Sequence, residues 1–190
     1  LTLSKMACVD ADFKRRAAEA GFLERAVGEI DATAISTRPL KAAHTTLFTL
    51  AMLTHGSQNT RAALEYGAVG KLCKLVKACA DLSAYGTSSE SPESSTLGLA
   101  LFVLAALVDS ATYVELEPAL RQYALPIAPI FVHLFCDTVH GPPNRCRSCL
   151  AIVDKLMVCA RRADEAGTLA SAKLVEALLG ARSTENANDL

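Results

Sequence analysis

The chain has 190 residues, 51% hydrophobic and 21% charged, which excludes a disordered tail and suits one domain or a short array of packed units. Nineteen Lys and Arg against twenty Asp and Glu leave a net charge of -1, without the basic excess that nucleic-acid binding requires. Ten Gly and seven Pro exclude a loop-rich fold. With no Trp and 5% aromatics, the apolar mass is Ala, Leu and Val, the stock of helices.

Helical periodicity runs through the chain and no segment reads as a strand. Arg38 to Thr54 places Leu40, Ala43, Leu47, Leu50, Ala51 and Leu53 near one helix face, with Pro39 in the first turn and Gly56 as the stop. Ser57 to Tyr66 is a short amphipathic stretch ending at Gly67. Ala68 to Leu82 resumes with Leu72, Leu75, Val76 and Cys79 on a shared face. Ser83 to Thr96 is a Ser-rich loop with Gly86 and Pro92, an insertion polar enough to stay solvated. Leu97 to Val108 is apolar on nearly all sides, as for a helix covered on both flanks. At about 12 residues it falls short of the roughly 20 that span a bilayer.

Glu117-Pro118 is expected to start a short helix running to Tyr123. Pro126 and Pro129 lie near the start of the next, whose body is Ile130 to Val139 and which Gly141-Pro142-Pro143 ends. Asn144 caps a helix from Arg145 to Arg162, and a last helix covers Thr168 to Leu179 before a tail over residues 181–190. Lys5, Asp10, Asp12 and Lys14 interrupt any signal-peptide core, and the initial Leu reads as the start of a fragment or trimmed chain. Seven cysteines stand at 8, 73, 79, 136, 146, 149 and 159. The odd count and the apolar helical setting of most imply thiols acting as small core residues in a reducing compartment, the cytoplasm or the nucleus.

The long helices superimpose on one frame: Leu47-x-x-Leu50-x-x-Leu53, Leu101-x-x-Leu104-x-x-Leu107 and Leu150-x-x-Val153-x-x-Leu156. A shorter two-helix unit with a small-residue hinge precedes each: Ala20-Gly21-Phe22-Leu23, Tyr66-Gly67-Ala68-Val69 and Tyr123-Ala124-Leu125-Pro126. A partial fourth copy leads from Leu169 into Leu174, Val175, Leu178 and Leu179. A short helix, a hinge, a second helix and a longer Ala/Leu-rich third helix resemble the armadillo repeat, with RAALEYGAVGKLCKLV (residues 61–76) the closest local match. HEAT repeats share much of the pattern.

The resemblance implies an all-α right-handed solenoid, with repeats near 17–56, 57–110 and 112–163, and a partial one over 165–180. In that family the third helices line a groove for extended peptides, and members that read basic import signals carry a Trp and an Asn four residues apart there. Those positions fall here on Phe48 and Met52, Phe102 and Ala106, and Ala151 and Lys155. The Asn is absent from all three, which argues against import signals and for an apolar groove that takes a peptide or partner helix. The expected groove residues are Lys41, Thr45, Phe48, Met52, Phe102, Ala106, Arg145, Arg147, Ser148 and Lys155. Two readings stand for Phe48 and Phe102, partner anchors or ordinary core, and Lys41, Arg145 and Arg147 read equally as a solvated face.

Chemistry finds little support. Cys136, His140, Cys146 and Cys149 include a C-x2-C half-site, but Cys136 and Cys149 fall at apolar helix positions and would face the core. His44, His55, His133 and His140 lie in no nucleophile motif, and Gly67-Ala68-Val69-Gly70 lacks the strand and G-K-[ST] ending of a phosphate loop. No cofactor or metal is called for. Ser91-Pro92 and Thr87-x-x-Glu90 are minimal phosphorylation patterns in the Ser-rich insertion. The expectation is a non-enzymatic interaction scaffold with a protein or peptide partner. The alternative is a small ligand- or metal-binding helical bundle with a closed pocket near His133 and His140.

Overall fold

The computed structural model describes residues 11–30, 40–54, 59–83, 92–137 and 143–162, and all regular structure among them is helical. The helices are α1 (Ala11–Glu19), α2 (Phe22–Gly28), α3 (Leu40–Thr54), α4 (Asn59–Glu65), α5 (Ala68–Ser83), α6 (Pro92–Ser110), α7 (Tyr113–Ala119), α8 (Ala128–Asp137) and α9 (Pro143–Arg162). A π-helical turn (Leu120–Ala124) and a 3-10 turn (Leu125–Ile127) join α7 to α8. They fall into three successive sets, each closed by its longest helix: α3, α6 and α9.

The middle long helix organises the core. α6 packs against both α3 and α9, which share no extensive contact with each other, and α5 lies along its own α6 as α8 lies along α9. The short helices follow the same order, with α4 touching both α1 and α7. Leu101, Leu104 and Leu107 of α6 are fully buried, as are Leu47 and Leu50 of α3 and Ile152 and Leu156 of α9. Burying each such side chain is worth about 1.5–3 kcal/mol, so these ladders dominate stability.

Hydrogen bonds stitch the sets together where burial would leave polar groups stranded. The amide of buried Asn59 donates to the Lys14 carbonyl at 3.1 Å and the Leu53 carbonyl at 3.0 Å, tying α4 to α1 and to the end of α3. Lys71 Nζ reaches from α5 to the Val27 carbonyl at 3.0 Å and the Gly28 carbonyl at 3.2 Å. A cation there satisfies the carbonyls that end α2 and complements its dipole.

The first two sets turn at glycine. Gly21 and Gly67 have φ of +80° and +78°, a left-handed conformation that costs an L side chain about 1–2 kcal/mol. Their surroundings match: Gly21 N–H donates to Ala18 O and Gly67 N–H to Leu64 O, both at 2.9 Å, and each glycine carbonyl accepts the N–H four residues on. The third joint has no such residue. Its backbone stays right-handed while the helix widens and then tightens: Leu125 N–H donates to Leu120 O, and Ala128 N–H to Leu125 O. Pro126 and Pro129 have no N–H, so Gln122 O and Leu125 O cannot take their ordinary helical bond, and the turn changes pitch there.

Several features differ from expectation, among them the start of α9, which opens at Pro143 and takes Asn144 inside the helix. The Ser-rich stretch is not a loop throughout: Ser83 ends α5, and Pro92 opens α6, since proline suits a first turn and Thr96 is buried. α7 starts at Tyr113 rather than Glu117, because Thr112 caps it. Glu115 Oε2 accepts the Thr112 N–H at 3.1 Å and its hydroxyl at 2.7 Å, which leaves Pro118 inside the helix. The ladder of α9 is also displaced, for Leu150 is 54% exposed. The expected helix at 168–179 and partial repeat at 165–180 lie outside the described residues.

Candidate functional site

Burial fixes a common register for the long helices. The buried set at spacings of 3, 4 and 7 is Leu47, Leu50, Ala51 and Thr54 on α3, and Leu101, Leu104, Ala105 and Val108 on α6. On α9 it is Cys149, Ile152, Val153 and Leu156. Thr54 fits among apolar residues because its hydroxyl donates to the Leu50 carbonyl at 2.8 Å.

In each helix the residue after the first buried position is large, apolar and outward-facing: Phe48 (37% exposed), Phe102 (43%) and Leu150 (54%). The three therefore occupy one register on helices that pack side by side, α3 on α6 and α6 on α9. This row differs from the expected one on α9. Leu150, not Ala151, is the counterpart of Phe48 and Phe102, and Asp154, not Lys155, follows one turn on. The expected Leu150-Val153-Leu156 ladder therefore begins one residue late: Cys149, whose thiol packs as a small hydrophobe, holds the first buried position.

The other expected residues divide. Thr45 is exposed, while Met52, Ala106 and Lys155 are half-buried, Met52 packing against the core. Ser148 is buried and faces inward, so it offers nothing to a partner. Lys41, Arg145 and Arg147 belong to α3 and α9, but their side chains lie outside the described residues. Among the described residues, Asp109, two turns after Phe102, and Asp154, one turn after Leu150, are exposed. Neither makes an ion pair with another described residue. The ion pairs present, such as Arg25 with Glu29 and Arg121 with Glu117, are on other helices.

Cys73, Cys79 and Cys149 are buried thiols, and burial pushes Cys73 up to about 12, far from a reactive thiolate. Among the described residues no three His, Cys, Asp or Glu side chains gather where they could hold a metal ion, and no helix is long and apolar enough to cross a membrane. The side chains of Cys136 and Cys146, with His140 and the phosphorylation patterns at Thr87 and Ser91, lie outside those residues. Gly70 has a packing role: a Cβ there would come within 2.9 Å of the Tyr123 ring, so its bareness lets α5 meet the third joint. No protein-family model, curated protein or solved structure matches the chain.

Proposed function

We propose that the chain is a non-enzymatic protein-interaction scaffold, an armadillo-like right-handed solenoid of three-helix units whose long helices dock a peptide or partner helix. The observation that carries this reading is the row Phe48, Phe102 and Leu150. Large apolar side chains outside a core lose the hydrophobic contribution that placed their neighbours inside, and an aligned row of them is the usual form of a binding patch. The order of packing, with α6 between α3 and α9 and α4 between α1 and α7, supports stacked units rather than a closed bundle. The raised Cys73 thiol and the buried Cys79 and Cys149 suit a reducing compartment.

A displayed library of random peptides, selected on the wild-type chain, tests it. Winners should lose at least tenfold in affinity on Phe102→Ser or Leu150→Ser, the size expected of a central anchor. Both substitutions leave the buried ladders intact, so circular dichroism should be unchanged. Winners that bind both variants as tightly as wild type would defeat the reading.

A further inference from the structure

We draw no further inference here: the strongest candidate, the exposed apolar row of Phe48, Phe102 and Leu150 on α3, α6 and α9, belongs to the surface already described, and nothing in the structure shows what covers it.

Discussion

The turn between the first and second helices of a set is made in two ways in this chain. At Gly21 and Gly67 the change of direction is concentrated in one left-handed residue, and the helix resumes four residues later with ordinary bonds. Between α7 and α8 it is spread over the π turn, the 3-10 turn and the prolines, and no described residue there has a positive φ. Both arrangements deliver the same product, a buried apolar residue facing the core: Leu23 and Leu72 beyond the glycines, Leu120 and Ala124 within the π turn. The backbone route is therefore replaceable, while burial is what the architecture holds constant.

Core burial gives the largest expected effect. Leu120→Ala and Leu72→Ala should each cost about 2–5 kcal/mol in denaturant unfolding, the range for emptying a fully buried leucine site. A cost below about 1 kcal/mol at Leu120 alone would mean that the π turn collapses onto the cavity, and that the two joints differ in rigidity as well as route. Next in size is the backbone term. Gly67→Ala should cost about 1–2 kcal/mol, and because nothing lies within 4 Å of an added Cβ, the loss is conformational alone. Ala124→Gly should cost about 0.5–1 kcal/mol for the opposite reason, since this right-handed position gains nothing from glycine. A neutral Gly67→Ala would remove the distinction.

The sequence reveals some of this and conceals the rest for identifiable reasons. Gly21 and Gly67 announce their joints because only glycine accepts that φ cheaply, and the apolar periodicity of α3, α5 and α6 shows through because burial selects it. The third joint is harder to read: Pro118 resembles a helix start, and the true start depends on the Thr112–Glu115 cap. The exposed row is partly legible. Phe48 and Phe102 stand out as aromatics, but whether they face solvent turns on a rotation of about 100° per residue that spacing alone does not fix. On α9 two apolar frames one residue apart, one starting at Leu150 and one at Cys149, both fit helical spacing and share Val153 and Leu156, and burial alone selects the second.

Tyr123 links the two kinds of joint, because its ring comes within 2.9 Å of where a Cβ on Gly70 would be. Two small terms of opposite sign meet there. Alanine is favoured over glycine inside a helix by about 0.5–1 kcal/mol, and crowding a packed contact costs about 1–3 kcal/mol. Gly70→Ala should therefore destabilise the wild-type chain by about 1 kcal/mol and stabilise the Tyr123→Ala variant by about 0.5 kcal/mol. The sign change across the double-mutant cycle is the measurement. If Gly70→Ala behaves alike in both backgrounds, Tyr123 simply swings aside, and α5 is not held to the third joint through this contact.

The smallest effect concerns acid, and it contrasts α1 with α7. Both Asp12 and Glu115 have carboxyls held below their ordinary values of 3.8 and 4.5, so each adds stability above the ordinary value that is lost as pH falls through the lowered one. The causes differ. Asp12 is held down by side-chain bonds from Arg15 and then Arg16, whereas Glu115 is held first by the hydroxyl and then by the backbone N–H of Thr112. Both groups lie at the surface, Asp12 and Glu115 each partly exposed, so both contributions are slight. Asp12→Asn and Glu115→Gln should each lower the melting temperature a little near pH 7 and converge on wild type as pH falls well below 4. Salt separates them. Ion pairs on a surface are screened at about 1 M ionic strength, where the Debye length is about 3 Å, so the Asp12→Asn difference should fade there. Neutral donors hold Glu115, with Arg61 adding only its most minor cause, so most of the Glu115→Gln difference should survive the same salt. Equal fading of both would mean that the charge of Arg61, rather than the Thr112 cap, fixes the start of α7.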